Sequence, residues 1–317
     1  MSWSLAIHGG AGTPPAGSLD EAVEARRRQG LRRALDAGGA VLCDGGSALD
    51  AVCAAVQVLE DDPLFNAGRG SVYAADRSQR MDASVMTGDR QAGAVCDLRR
   101  ARSPILAARC VLERSPHVFL CGADAERFVA KKGVEMVAPE WFADPVRRAQ
   151  LEAALVDGKV VLDHSGRTAD DGAAGGTVGA VARDLQGQLA AATSTGGMTG
   201  KAPGRVGDSA VIGAGTWALN STCAVSATGH GERFILASVA TRISSLIELA
   251  GLDVVAASEQ VVLHELVTQQ AEGGVIAVGA DGRLSLPFNS GGMARAARHP
   301  DGRVEVHAFV SLEALGR

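Results

Sequence analysis

The spacing of apolar residues predicts helices and strands in both halves of the chain. Short apolar runs bounded by glycine and polar residues predict strands, and apolar residues three and four positions apart predict amphipathic helices. In the first half, the predicted strands are residues 5–8, 79–86 and 91–96, and the predicted helices are residues 21–42, 47–59, 103–113, 123–132 and 145–156. Two of these helices have a clear start, at the N-cap Ser47 and at Ser103 followed by Pro104.

The second half has a similar order of elements. The pattern predicts strands at residues 178–182 and 189–194, helices at 231–249 and 254–270, and further strands at 276–279, 283–287 and 303–309. A short loop containing glycine joins the first two strands into a hairpin. Because both of these strands are apolar on both faces, we expect them in the centre of a sheet that is covered on each side.

The order of strands, helices and strands in each half indicates stacked sheets with helices outside. We therefore expect an α/β fold built as a four-layer α/β/β/α sandwich. Residues 157–176, between the halves, are polar and rich in glycine and aspartate. This composition indicates a flexible linker that proteases can reach.

Composition narrows the class of protein. The chain has 317 residues, 46% of them hydrophobic and 21% charged, which is typical of a globular protein. The net charge is −5 and the longest basic run has three arginines, so we expect no nucleic-acid partner. No run of 18 apolar residues or leader-like segment occurs, so we expect neither a membrane span nor a signal peptide. Six scattered cysteines without metal-binding spacing predict buried thiols in a cytoplasmic protein.

Thr177 lies where the flexible segment meets the hydrophobic strand, in the sequence Gly-Gly-Thr-Val-Gly-Ala. Cleavage of the bond between Gly176 and Thr177 would give this threonine a free α-amine. With a pKa of about 8, that amine could take the proton of the hydroxyl on the same residue. The alternative is an ordinary β-branched residue at the start of a strand.

Thr195 closes the hairpin that Thr177 opens. The 18-residue spacing is even and centred on the predicted loop, so both hydroxyls point to the same face and lie opposite each other. A second hydroxyl at this place could polarise the first. A simple cross-strand threonine pair is the alternative.

Two further loops carry groups that suit an amino-acid substrate. Arg205 and Asp208 lie three residues apart on a glycine-flanked loop, and their charges match the carboxylate and the ammonium of an amino acid. A surface ion pair is the alternative. Thr228 and Gly229 precede a predicted helix and could form an oxyanion hole, or only a helix cap. Residues 61–70 form an irregular loop whose carbonyl groups could bind a monovalent cation, or which could simply cap a helix.

Taken together, these segments resemble the plant-type L-asparaginase/isoaspartyl peptidase family of N-terminal nucleophile hydrolases. The resemblance extends from Ile7 to about Met293 and is weakest between Ala138 and Gly175. It rests on the segments IHGGAG at 7–12, NAG at 66–68, GTVGAVA at 176–182, AATSTGGMT at 191–199, GRVGD at 204–208 and TG at 228–229.

The resemblance implies a single-domain precursor that cuts itself between Gly176 and Thr177. An α subunit of residues 1–176 and a β subunit of residues 177–317 would stay associated, and two such units would pair into an (αβ)2 dimer. By the same resemblance, the residues have the following roles: Thr177 as nucleophile, Thr195 supporting its hydroxyl, Asn66 approaching it, Thr228 and Gly229 as oxyanion hole, and Arg205, Asp208 and the Gly231 carbonyl as substrate ligands. A structural sodium ion would bind the backbone carbonyls of Leu59, Glu60, Asp62, Phe65, Ala67 and Arg69, and no catalytic cofactor is implied.

The expected reaction is hydrolysis of a β-aspartyl amide, either in L-asparagine or in a β-aspartyl dipeptide, through an acyl ester on Thr177. Two departures from the family pattern stand beside the site. Gly175 replaces a residue that is often large, and His230 replaces one that is often small. A titrating imidazole at position 230 could change the pH dependence of the reaction.

Three alternatives remain beside this interpretation. Glycosylasparaginases usually place an aspartate before the nucleophilic threonine, where this chain has Gly176. A non-catalytic amino-acid-binding protein would use Arg205 and Asp208 and remain a single chain. A glycine-rich nucleotide-binding domain is disfavoured, because the segment IHGGAG lacks the spacing of the known phosphate-binding motifs.

Overall fold

The computed structural model describes residues 2–12, 21–156 and 176–308, which form two β-sheets and a set of helices. The described strands are β1 Ser4–Ala11, β2 Met81–Thr87, β3 Ala92–Leu98, β4 Phe119–Cys121, β5 Val178–Arg183, β6 Leu189–Thr195, β7 Thr216–Ala218, β8 Cys223–Gly229, β9 Gly273–Gly279, β10 Leu284–Ser285, β11 Met293–Arg298 and β12 Val304–His307. The described helices are α1 Glu21–Cys43, α2 Ala48–Asp61, α3 Pro104–Arg114, α4 Gly122–Lys131, α5 Pro145–Val156, α6 Gly231–Ala237, α7 Val239–Ala250, α8 Val254–Glu259 and α9 Leu266–Thr268.

The larger sheet has the strand order β12-β11-β1-β5-β6-β2-β3-β4, and the smaller sheet has the order β10-β9-β8-β7. The expectation that the hairpin strands are central is confirmed, because β5 and β6 lie in the middle of the larger sheet. Alternate residues of β5 are buried on opposite faces: Val178 and Ala180 face one hydrophobic cluster and Val181 faces another. This two-sided burial explains why the strand is apolar throughout.

Three clusters of buried apolar residues hold the fold together. The first lies between the larger sheet and helices α1, α2 and α3, and includes Leu35 and Val56. The second lies between the two sheets, where alanines of β1, β6, β7, β8 and β11 keep the contact close. The third includes Phe234 and Ile243 and lies between the smaller sheet and helices α6 to α8. The chain therefore has a mixed α/β fold in which both sheets are covered by helices.

Most predicted elements are present, with shifts of up to three residues at their ends. The helix start at Ser47 is confirmed, since its hydroxyl accepts a hydrogen bond from the Asp50 amide at 3.1 Å. Ser103 precedes α3 as predicted, but its hydroxyl donates to the Glu60 carboxylate rather than capping the helix. The predicted linker at residues 157–176 lies, except for Gly176, outside the described residues.

Several predictions about the second half were wrong in detail. The helix predicted at 231–249 is divided at Ser238, whose left-handed backbone (φ 49°) ends α6 and starts α7. The helix predicted at 254–270 contains a π-helical segment, Gln260–Glu265, between α8 and α9. The strand predicted at 283–287 is reduced to β10. Strands β7, β8 and β11 of this half, and β4 of the first half, were not predicted.

The positions of the six cysteines agree in part with the expectation that they are buried. Cys53, Cys96, Cys110 and Cys223 are buried as expected, whereas Cys43 and Cys121 are exposed at the surface. Among the described residues, the helices are too short or too polar to cross a membrane.

Candidate active site

The β5–β6 hairpin brings Thr177 and Thr195 together. The pairing of Val178 with Ser194 sets the register, so the next pair outward is Thr177 with Thr195. The Thr177 hydroxyl donates to the Thr195 hydroxyl over 2.9 Å, and the Gly197 amide donates to the same Thr195 oxygen over 2.9 Å. The predicted juxtaposition of the two hydroxyls is therefore confirmed, and the second is held in place by the loop that follows it.

One cavity contains most of the residues singled out from the sequence. It is lined by Asn66, Gly176, Thr177, Thr195, Gly197, Met198, Arg205, Gly207, Asp208, Ser209, Thr228 and Gly229. The bond predicted to be cleaved, Gly176–Thr177, is thus part of the cavity wall. The arrangement places hydroxyl groups, one cation and one carboxylate around a single space.

Arg205 and Asp208 do not form the surface ion pair that the sequence left open. The Arg205 guanidinium instead pairs with the carboxylate of Glu232, with two hydrogen bonds of 2.9 Å. Glu232 is half exposed and lies in the first turn of α6, so sequence proximity gave no signal for this contact. The pair shows that the Arg205 guanidinium can hold a carboxylate through two parallel hydrogen bonds.

Asp208 is buried in the cavity wall. Its Oδ2 atom has no hydrogen-bond partner within the part of the chain that the structure describes. Burial raises the pKa of its carboxyl group to about 7, and the nearby Arg205 opposes this shift. Gly231 passes close by, because a Cβ at this position would lie 2.9 Å from Asp208 Oδ1. A positively charged ligand group beside Asp208 would supply the partner that Oδ2 lacks.

Thr228 and Gly229 lie at the end of β8 and form part of the cavity wall. The Thr228 hydroxyl accepts a hydrogen bond from the Ala11 amide over 3.2 Å, which ties β1 to this wall. His230 is the N-cap residue of α6, so neither Thr228 nor Gly229 caps that helix. The His230 imidazole lies 3.8 Å from the Glu232 carboxylate and does not line the cavity.

Asn66 contacts the loop after Thr195. Its side-chain amide donates to the Gly197 carbonyl over 2.7 Å, and its side-chain oxygen accepts from the Val72 amide over 3.1 Å. Its backbone carbonyl accepts from the Gly196 amide over 3.0 Å. Asn66 lines the same cavity as Thr177, and these bonds orient the loop that in turn holds Thr195.

Sequence analysis gave no role to His8, although the structure places it directly behind Thr177. Its Nδ1 atom lies 2.9 Å from the Thr177 carbonyl oxygen, and its Nε2 atom lies 3.0 Å from the Ser226 hydroxyl. The imidazole is fully buried, and burial lowers its pKa to about 3. The available signal was a histidine in a strand that is otherwise apolar and ends in glycines.

The loop after α2 has the donor chemistry of a monovalent-cation site. Its predicted ligands are backbone carbonyls, which are hard oxygen donors. Gly68 and Gly70 allow the loop to fold back on itself, because a Cβ on Gly68 would overlap the Glu60 carbonyl and a Cβ on Gly70 would overlap the Phe65 carbonyl. The Arg69 side chain turns outward over the Trp141 ring, at 5.3 Å, and leaves only its backbone to the loop. The residues of this loop therefore fit a monovalent cation bound by backbone carbonyls.

Comparison with known proteins agrees with this geometry. A family model described as asparaginase matches residues 1–308. Similar proteins include the isoaspartyl peptidase of Salmonella typhimurium (50% identity, covering 92% of this chain and 94% of the relative) and that of Escherichia coli (48% identity, 92% and 91%). The plant-type L-asparaginase of Pyrobaculum calidifontis is 41% identical over 94% of this chain and 97% of its own.

Proposed function

This chain belongs to the asparaginase family, and from that premise we propose that it hydrolyses β-aspartyl amide bonds. Its substrates are L-asparagine, which gives aspartate and ammonia, and β-aspartyl dipeptides, which give aspartate and an amino acid. One observation carries the proposal: the 2.9 Å pair of Thr177 and Thr195 hydroxyls lies in the same cavity as Arg205 and Asp208. A nucleophile and a pair of charges that match an amino acid thus share one space.

The enzyme is made as a precursor that cleaves itself. In the uncut chain, the Thr177 nitrogen is an amide and cannot act as a base. The Thr177 hydroxyl attacks the Gly176 carbonyl, the chain shifts from the amide to an ester, and water hydrolyses that ester. The products are residues 1–176 and 177–317, which remain one domain because β1, from the first part, pairs with β5 and β11 of the second.

Catalysis uses the amine that cleavage releases. The α-amine of Thr177 takes the proton from its own hydroxyl, and the oxygen attacks the side-chain carbonyl of the substrate. Thr195 stabilises the reacting oxygen, and Thr228 and the Gly229 amide bind the tetrahedral oxyanion, at about 3 kcal/mol per donor. The leaving amine departs with a proton, and water hydrolyses the acyl ester. These reaction steps need no catalytic cofactor, because the α-amine of Thr177 acts as the base.

The two charged side chains of the cavity, Arg205 and Asp208, determine which class of substrate binds. The Arg205 guanidinium binds the α-carboxylate, and Asp208 binds the α-ammonium together with the Gly231 carbonyl. An ammonium beside Asp208 favours the ionised carboxylate and so offsets the effect of burial on its pKa.

The remaining features follow the family. We propose the four-layer α/β/β/α sandwich of the N-terminal nucleophile type, supported by the three hydrophobic clusters, and an (αβ)2 dimer in the cytoplasm. When bound, a sodium ion would be coordinated by the carbonyl oxygens of the loop after α2 and would hold the residues around Asn66 in place.

The test of function is hydrolysis of L-asparagine and of a β-aspartyl dipeptide by purified protein, with release of aspartate measured. Thr177→Ser keeps a hydroxyl and an amine, so we expect measurable turnover, whereas Thr177→Ala should have none. Activity that survives Thr177→Ala, or a protein that binds aspartate without turnover of either substrate, would contradict the proposal.

A further inference from the structure

A chain of buried hydroxyl groups crosses the space between the two sheets and reaches His8. Each neighbour lies within hydrogen-bond distance: His8 Nε2 to Ser226 at 3.0 Å, Ser226 to Thr193 at 2.7 Å, Thr193 to Thr216 at 2.6 Å, and Thr216 to Ser84 at 2.8 Å. All of these side chains are fully buried. The opposite side of the imidazole touches the carbonyl of Thr177.

The Thr177 carbonyl fixes the direction of the hydrogen bonds that run from His8 through Ser226 and Thr193 to Thr216. A carbonyl oxygen can only accept, so His8 carries its proton on Nδ1. The buried imidazole is neutral, because its pKa of about 3 lies far below working pH, and Nε2 must therefore accept from Ser226. A hydroxyl has one proton to give, so Thr193 donates to Ser226, and Thr216 donates to Thr193. This series of hydrogen bonds therefore holds the tautomer in which His8 donates a proton to the Thr177 carbonyl.

We propose that His8 is a positioning residue that aims the α-amine of Thr177 at its own hydroxyl. After cleavage, no peptide bond restrains the Thr177 nitrogen. The torsion between its Cα and carbonyl carbon then decides where the amine lies, and the hydrogen bond from His8 Nδ1 holds that torsion. This inference rests on the proposed function and adds a residue from the first part of the chain to the machinery.

Gly179 supports this assignment. It pairs with His8 across β1 and β5, and a Cβ at position 179 would overlap both the His8 Nε2 atom and the Ser226 hydroxyl. Its backbone has no torsion that requires glycine, so the absence of a side chain is a matter of space alone. The strand that carries the nucleophile therefore leaves room for the imidazole to reach the carbonyl two residues earlier.

The test compares His8→Asn with His8→Leu in the full chain. The two side chains have nearly the same shape, but only the Asn amide can donate from the position of Nδ1. Mass spectrometry gives the cleaved fraction of each protein, and kcat on a β-aspartyl dipeptide is expressed per cleaved chain. We expect kcat to fall 10- to 100-fold in His8→Leu with KM within threefold of wild type, because a displaced base costs rate and not substrate binding. His8→Asn should keep kcat within about fivefold.

The pH profile adds a readout that a loss of packing alone would not change. The acid limb of the pH profile of kcat/KM reports the pKa of the Thr177 α-amine. The midpoint of this limb should therefore shift to a different pH in His8→Leu and stay at the wild-type pH in His8→Asn. If His8→Leu stays uncut while His8→Asn is cleaved, and both unfold at the wild-type temperature, the donor is required already in the precursor. Equal activity of the two variants would overturn the assignment, whether both match wild type or both fall together.

Should neither variant fold, the wild-type protein still decides the question. Nitrogen-15 NMR of the histidine ring should show His8 neutral and protonated at Nδ1 at pH 6 to 8. A proton on Nε2, or a charged ring, would overturn the proposal. A wild-type protein that neither cleaves nor hydrolyses would instead refute the proposed function, while the tautomer would remain testable.

Discussion

Asp208→Asn should stabilise the protein in a pH-dependent way. The carboxyl group is buried, its Oδ2 atom lacks a partner among the described residues, and its pKa is raised from 3.8 to about 7. Between these two values the unfolded chain has already lost the proton that the folded chain keeps, so the free energy of unfolding falls as pH rises. Above pH 7 the accumulated loss is roughly 4 kcal/mol. The asparagine variant has no such loss.

The measurement is urea unfolding followed by tryptophan fluorescence at pH 5 and pH 8. The Thr177→Ala background keeps each protomer as one uncut chain, and the proteins are compared at the same concentration. The stability difference between Asp208→Asn and its parent should grow by about 2.5 kcal/mol from pH 5 to pH 8, in favour of the variant. Val211→Ala lies on the same loop and cannot titrate, so its effect should be equal at both pH values. A difference for Asp208→Asn that is constant, or that falls with pH, would refute the reasoning.

The Asp208 carboxylate should also be required for binding of the ligand. L-Aspartate offers both charges of the expected product, and binding to the native state raises the unfolding temperature. We expect this rise in the uncut Thr177→Ala protein and its loss when Asp208→Asn is added. An equal rise in both proteins would show that Asp208 does not bind the ammonium.

Four further changes test separate parts of the site. Thr195→Ala should lower kcat by about 100-fold with little change in KM, and Thr195→Ser should restore much of it; an unchanged kcat would remove Thr195 from the mechanism. Arg205→Lys keeps the charge but loses the bidentate geometry, so KM should rise 10- to 100-fold, and an unchanged KM would exclude Arg205 as the carboxylate ligand. Glu60→Leu removes the acceptor of three buried hydrogen bonds, from Ser103, Ser194 and the Ile105 amide, and should destabilise the protein by about 3 kcal/mol in urea unfolding. Replacing sodium by choline should lower the unfolding temperature of the wild type and not that of Gly70→Ala, whose Cβ would overlap the Phe65 carbonyl; equal responses would argue against a cation in this loop.

The parts of the site that the sequence predicted share a local geometry. Thr177 and Thr195 lie on one hairpin, and the even spacing about a short loop sets both their pairing and their face. Arg205 and Asp208 lie on one glycine-rich loop, so a single turn of chain carries both into the cavity. In each case the distance along the sequence is short enough for a regular backbone to fix the relation.

The parts that the sequence did not predict depend on contacts between distant segments. His8 is 169 residues from Thr177, and only the pairing of β1 with β5 brings them together. The ion pair of Arg205 with Glu232 joins a loop to a helix 27 residues later. Strand β8 was not predicted because Ser226 and Thr228 interrupt its apolar pattern. These two hydroxyls point to the other sheet, where they form hydrogen bonds with His8 and with the Ala11 amide.

The central claim is that Thr177 becomes an N-terminal nucleophile, and a denaturing intact-mass spectrum of freshly purified protein tests it most directly. The account predicts two masses, for residues 1–176 and 177–317, and a single uncut mass for Thr177→Ala. A wild-type chain that stays whole on prolonged incubation would leave Thr177 without its base and would contradict the account.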